Sequence, residues 1–379
     1  MRVLFPYLAQ IHQIPHSLPV AVQLALRHPQ IEVHVAGVSP RHLETVRQML
    51  GRHAPQARIA LKRLDIGWED RGLMALGRSI AGKRRTMRLN RDYFAGFDAI
   101  VTPESTSLYL RKLGIGATMI RTGHGAGDRA IAVSERVGEF DLVLIGGDKM
   151  ERRMLDVGII RRGAYVKGVY AKFDWMLPSA AGRAPLFDNG RPTVLYNPHF
   201  RPQLSSWPKW GRAVLEHFAA DTRYNLIFAP HIRLFDSPMR KLHEHQLRRY
   251  AALPNIHVDL GSERSIDMSY TGAADLYLGD VSSQVTEFLY HTRPCAFLNA
   301  HGVQWTDDPN YRFWHMGPVV EACDELGATV DRAFATHADY VDRQRHYFTS
   351  SFGLTPGQTS SPHAADGIAQ FLDGQAIVV

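Results

Sequence analysis

Two cysteines, Cys295 and Cys323, in 379 residues are too few for a disulfide framework, so a reducing compartment is expected. No apolar run approaches the roughly 18–20 residues that a membrane-crossing helix needs. The N-terminal "MRVLFPYLAQIHQIPHS" meets Gln, His and Pro where a signal peptide would keep an apolar core, and no secretory leader is expected. The expected location is therefore the cytoplasm, or peripherally the inner face of the cell membrane. Walker loop, G-x-G-x-x-G, H-E-x-x-H and G-x-S-x-G are all missing, which removes support for P-loop, zincin and serine-hydrolase chemistry. No carboxylate or histidine cluster has metal-ligand spacing; His243 and His245, two apart, fall on different faces of a helix. Neither a metal nor a cofactor is therefore expected.

What is present is an ordinary globular composition, 45% hydrophobic, with a net charge of +7. That charge favours anionic partners. Its densest stretch is "GRSIAGKRRTMRLNRD", with Arg78, Lys83, Arg84, Arg85, Arg88 and Arg91; the partner expected for it is an anionic surface, either the acceptor or the inner membrane leaflet, and a solvated helix face is the competing explanation. No nucleic-acid-binding fingerprint accompanies these residues, so no nucleic-acid partner is expected.

Short apolar runs alternate with helical segments from the first residues onward: "RVLFPYL", "IEVHVAGV", "FDAIVTP" and "FDLVLIGG" are each followed by a helix-forming stretch. Such strand–helix repetition predicts an α/β fold with mainly parallel sheets. Periodicity lapses in the Pro-, Gly- and Ala-rich stretch near Phe173–Pro192 and then restarts with "TVLYNPHF". The expected organisation is a first domain over 1–175, a linker over 176–192 and a second domain over 193–379. Two α/β domains of this kind would present their strand C-termini to a central cleft.

Three strand ends carry chemistry. In "LYLGDVSSQVTEFLYH" the strand should stop at Gly279 and a helix should begin near Ser282 or Ser283. Asp280 and Ser282 are good N-cap types, and the first-turn amides with serine hydroxyls suit a phosphate. Glu287, one turn on, could accept ribose hydroxyls. A plain helix cap is the competing explanation. "MIRTGHGAGD" sets His124 between two glycines, where a substrate could approach an imidazole able to act as general base. "FAPHIRL" puts His231 and Arg233 just past a strand, and "YNPHFRP" puts His199 and Arg201 in the equivalent place one strand earlier.

In this order "TGHGAGD", "YVKGVYAKFD", "VLYNPHFR", "FAPHIRL" and "LGDVSSQVTEF" followed by "RPCAFLN" resemble the CDP-glycerol glycerophosphotransferases of teichoic-acid and capsule synthesis. The likeness runs over roughly Ile120–Asn299. It implies the GT-B architecture, with two Rossmann-like domains, and a nucleotide-diphosphate donor, CDP-glycerol or a similar one. The acceptor it implies is a saccharide, a lipid-linked molecule or a polyol phosphate. Among the residues, the resemblance gives His124 the role of base on the acceptor hydroxyl. It gives His231, Ser282 and Ser283 the donor diphosphate. The chain departs from the family pattern at Gly123, at Ala126–Asp128 and at Ala229. A GT-B nucleotide-sugar glycosyltransferase is the nearest rival. A UDP-sugar 2-epimerase would need cleft carboxylates, for which Glu104 and Asp128 are the candidates, and a non-catalytic polysaccharide-binding protein is the remaining alternative.

Overall fold

A computed structural model describes residues 1–75, 81–123, 134–181, 184–235, 240–282, 284–375 and 377. The chain divides into two compact units, one comprising Met1–His124, Val133–Trp175 and Ser350–Val379, the other chiefly Met176–Thr349.

The first unit holds a seven-stranded parallel sheet of β1 (Arg2–Tyr7), β2 (Glu32–Gly37), β3 (Ala60–Arg63), β4 (Ala99–Thr102), β5 (Thr118–Arg121), β6 (Leu142–Leu144) and β7 (Tyr165–Val166). Their spatial order is β3-β2-β1-β4-β5-β6-β7. The second unit holds six strands: β8 (Thr193–Asn197), β9 (Asn225–Phe228), β10 (Ile256–Val258), β11 (Leu276–Gly279), β12 (Cys295–Leu298) and β13 (Val319–Val320). Their order is β10-β9-β8-β11-β12-β13. Every strand pair is parallel. Central strands such as β8 and β11 are buried along their whole length, because helices cover both faces of such a sheet. The α/β fold with two parallel sheets is thus the one the alternation predicts. The two-residue edge strands β7 and β13 are too short to show any periodicity and were not anticipated.

The C-terminal stretch belongs to the first unit, not to the second, where the sequence reading placed it. The reason lies in side chains far apart in sequence. Helix Ser361–Leu372 lays small buried residues, Ala364, Ala365 and Ala369, beneath its neighbours, and its Gly367 leaves room for Val166, whose Cγ2 lies 2.5 Å from where a Cβ would stand. Its first-turn amides are satisfied by Asp174, which accepts from the backbone N–H of Ser360 at 3.1 Å and of Ser361 at 2.7 Å. On the same helix, Asp366 takes two hydrogen bonds from the Arg27 guanidinium, at 2.9 and 2.6 Å, and one from the His28 ring at 2.9 Å.

The expected linker is also partly structured. A helix, Lys172–Ala181, runs through its beginning. It forms because Phe173 packs against Tyr170 and Phe352, and Trp175 stacks on His53 with ring centroids 4.8 Å apart. Aromatic anchoring of this kind leaves no periodic trace in the sequence.

Candidate functional site

In the second unit the chain builds outward from β8 to β9 and β10, then crosses back to β11, β12 and β13. The order therefore reverses between β8 and β11, the place where open α/β sheets bind ligands beyond their strand C-termini. The three motifs of this half fall on the adjacent ends of β9, β8 and β11.

Asn197, the last residue of β8, ties these ends together: its Nδ2 donates to the Ala229 carbonyl after β9 at 2.5 Å, and its Oδ1 accepts from the Ser282 hydroxyl at 3.4 Å. Asp280 completes the frame. Its carboxylate accepts from the backbone N–H groups of His199 at 2.9 Å and Ser206 at 2.6 Å, and from the Ser206 hydroxyl at 3.0 Å. Fully buried, it has its carboxyl pushed up to about 6 by desolvation, against which these hydrogen bonds work. An ionised carboxylate so engaged has no donor to offer a phosphate. Asp280 is thus a brace for the loop after β8.

The histidines repeat one device on neighbouring strands. The backbone N–H of Arg201 donates to His199 Nδ1 at 3.0 Å, and that of Arg233 donates to His231 Nδ1 at 3.2 Å. A backbone N–H can only donate, so each Nδ1 is an acceptor and the neutral ring carries its proton on Nε2. The two turns meet: the His231 backbone N–H donates to the Pro198 carbonyl at 3.0 Å, and the two imidazoles lie 5.7 Å apart. Between them stands Phe200, with its ring centroid 4.6 Å from each imidazole. The Arg233 guanidinium lies 4.2 Å over that ring and Arg201 lies 5.8 Å from it, both attracted by its negative face. The structure therefore brings His231, Arg201 and Arg233 together. It adds Phe200, whose signal in the sequence is an aromatic residue between His and Arg at a strand end.

At β11, Gly279 is required by close packing, since a Cβ there would meet the Tyr277 ring at 2.6 Å. Ser282 is buried, and its hydroxyl accepts from the Gln284 N–H at 3.3 Å. The helix that follows is only Gln284–Phe288, beginning later than expected and making little more than one turn. Its dipole is correspondingly small, so amide and hydroxyl donors rather than helix charge would have to hold an anion here. Glu287 lies buried within that turn. Ser283, His124 and Asp128 lie outside the described residues, as does Arg78.

Elsewhere, the basic stretch is partly neutralised. In helix Lys83–Leu89, Lys83 is bonded to the buried Glu104 and Arg85 to Glu69, whereas Arg84 and Arg88 are exposed. Among the described residues no group of three or more His, Cys, Asp and Glu side chains is placed to hold a metal ion, and no helix is long and apolar enough to cross a membrane.

No protein-family model and no curated protein matches the chain. Solved structures do. The chain is similar to the wall teichoic acid polymerase TagF in a variant soaked with CDPG, at 11% identity over 98% of this chain and 89% of that one, with a TM-score of 0.65. It is similar also to a putative UDP-N-acetylglucosamine 2-epimerase from Listeria monocytogenes, at 11% identity over 100% and 99% of the two chains, with a TM-score of 0.63. A sucrose-phosphate synthase from Thermosynechococcus elongatus matches at 15% identity over 99% and 98%, with a TM-score of 0.54. The class these likenesses define is the GT-B fold. At such identities they establish the fold and leave the reaction to be argued from the site.

Proposed function

We propose that the protein transfers a glycerophosphate, or a related polyol-phosphate group, from a CDP-activated donor to an acceptor hydroxyl in cell-surface polysaccharide synthesis. The observation that carries this reading is the paired histidine turns of β8 and β9, which set two arginines and Nε2-protonated imidazoles beside the serine-bearing end of β11. Such an array of donors suits a diphosphate. The CDPG held by the similar TagF structure supports a cytidine nucleotide in particular.

In this reaction the acceptor oxygen attacks the donor's alcohol-bearing phosphorus and the bond to CMP breaks. His231, Arg201, Arg233, Ser282 and Ser283 stabilise the charge that gathers on the departing phosphate. Stabilisation of that kind is commonly the largest single contribution to catalysis. Glu287 takes the ribose hydroxyls. His124 takes the proton of the attacking hydroxyl, a role given to it by its Gly-His-Gly setting and by the family resemblance. The exposed Arg84 and Arg88 hold the protein to an anionic membrane surface.

The test is a panel of CDP-glycerol, CDP-ribitol, CMP-sugars and UDP-sugars, compared by thermal stabilisation. A ligand at about 100 times its Kd should contribute about 2.7 kcal/mol. Stabilisation by the CDP-alcohols is expected. A shift by UDP-sugars alone would replace this reading with a nucleotide-sugar glycosyltransferase or, given the likeness to the epimerase structure, a UDP-sugar 2-epimerase.

A further inference from the structure

We propose that the first unit carries its own site for an anionic polyol, in which Arg121 takes a phosphate and Glu104, held by Lys83, takes a hydroxyl. This deepens the transferase reading and rests on it only for naming that polyol phosphate as the acceptor.

The placement follows from the sheet. Thr102 ends β4, Arg121 ends β5, and the two are paired in register, so their side chains share a face with Ile100 and Met119. Helix Lys83–Leu89 covers the same face through Met87. Glu104 stands two residues beyond Thr102, its backbone N–H donating to the Thr102 hydroxyl at 3.4 Å. In this sheet the strand order reverses between β1 and β4, so β4 flanks the switch point of the first unit as β11 flanks that of the second.

Two polar groups here are unsatisfied. Glu104 is 7% exposed; Lys83 bonds its Oε2, while its Oε1 is buried with no partner among the described residues. Arg121 is partly buried, its Nε fully so, and its guanidinium forms no hydrogen bond or ion pair with any described residue. Burial lowers the guanidinium to about 10 and raises the Glu104 carboxyl, which Lys83 opposes. Arg293, the comparable buried arginine of the second unit, directs its terminal nitrogens to the carbonyls of Thr271, Ala274 and Phe288. Arg121 has no such arrangement. A desolvated cation and a buried carboxylate oxygen both left without partners are costly in a finished fold, and a ligand is the ordinary remedy.

The chemistry of the two groups selects the ligand. A guanidinium matches a phosphate, often through two parallel bonds. The carboxylate oxygen accepts and cannot donate, so it needs a hydroxyl and repels a second anionic group. A neutral polyol would leave Arg121 uncompensated, and bare phosphate would leave Glu104 unpaired. A phosphate ester of a polyol answers both.

Calorimetric titration of the full chain with glycerol 3-phosphate, inorganic phosphate and glycerol tests this. Wild type should bind glycerol 3-phosphate more tightly than either fragment. Arg121→Gln should weaken both phosphate-containing ligands by about tenfold or more, the usual loss for a charged hydrogen bond. Glu104→Gln should weaken glycerol 3-phosphate while leaving inorganic phosphate unweakened. Arg121→Lys, which keeps the charge and loses the fork, covers the case in which Arg121→Gln does not fold, and it too should weaken the ester. Absence of glycerol 3-phosphate binding to wild type, or wild-type affinity in the folded variants, overturns the site. A parallel titration with CDP-glycerol separates the two proposals. Arg121-dependent binding of the ester without any CDP-alcohol binding would leave this site standing and remove the transferase reading, and the converse pattern would do the reverse.

Discussion

The carboxylate of Asp280 receives the backbone N–H groups of His199 at 2.9 Å and Ser206 at 2.6 Å, so the serine motif at the end of β11 braces the loop that carries the first histidine motif. The coupling makes the two motifs one unit. It also means that Asp280 should betray itself through stability before it does so through ligand binding.

Asp280→Ala would strand buried donors on His199 and Ser206, and a cost of about 3–5 kcal/mol is expected for breaking such an arrangement. The pH dependence has a definite sign. Because the folded carboxyl titrates near 6, above its ordinary value of 3.8, the folded chain binds more protons than the unfolded chain between about pH 4 and 6. This residue's contribution is therefore largest below pH 4 and is lost as pH rises through 6. Thermal melts of wild type and Asp280→Asn, followed from pH 5 to 7.5, should show wild type losing ground relative to the variant. Parallel melts across that range would contradict the assignment.

His231 offers a sharper test, because its Nδ1 works as a backbone acceptor. An asparagine oxygen can accept the same N–H two residues on, as Asn does in local turns, and its amide can still donate. His231→Ala should weaken CDP-glycerol binding about 10- to 100-fold, given about 1.5–3 kcal/mol for a hydrogen bond to a charged group. His231→Asn should recover a good part of that loss. If Asn proves as weak as Ala in titrations, the turn has no bearing on the donor.

Much of this was legible in the chain, and what was not has a physical reason. Alternating runs reveal strands because burial on both faces makes them apolar, and strand ends announce themselves through Gly, Asp, Ser and His. The pairing of Asp280 with His199 was hidden, because it depends on β8 lying beside β11, which sequence order does not dictate. The allegiance of Ser361–Leu372 was hidden for the same reason: Asp174 and Arg27 reach it across 187 and 339 residues. Phe200 was visible but unweighted, since its value comes from the two imidazoles and two guanidinium groups that the fold gathers around it.

Ser282→Ala combined with Ser283→Ala should weaken donor binding with the fold intact. Ser282 is buried against Asn197 and Gln284, so a modest loss of stability, about 1 kcal/mol for a neutral hydrogen bond, should accompany the change. The donor affinity should fall further than that. Unchanged affinity in a folded double variant would reduce the motif to a simple cap.

Arg84→Glu with Arg88→Glu should release the protein from anionic vesicles. Each basic residue near such a surface is worth about 1 kcal/mol, and the attraction weakens with salt. Lys83 and Arg85 are already engaged by Glu104 and Glu69, so neutralising those two should matter less for sedimentation and more for stability. Equal recovery of wild type on neutral vesicles would remove the electrostatic attachment.

His124→Ala is the variant on which the proposed chemistry depends most. The residue follows β5 by three positions in the sequence and stands between Gly123 and Gly125. A positioned base contributes about 10²- to 10⁴-fold to turnover, and a loss of that size is expected. The residues proposed to hold the donor, His231, Arg201, Arg233 and Ser282, all belong to the second unit's sheet ends, so affinity for CDP-glycerol should stay within about twofold, the scatter seen between sites with no shared partners. Turnover and nucleotide affinity must therefore be measured together on His124→Ala and His231→Ala. The first should separate the two quantities and the second should lower both. Near-normal turnover in His124→Ala would remove the base and leave the array proposed at the ends of β8, β9 and β11 in need of another partner for the acceptor's proton.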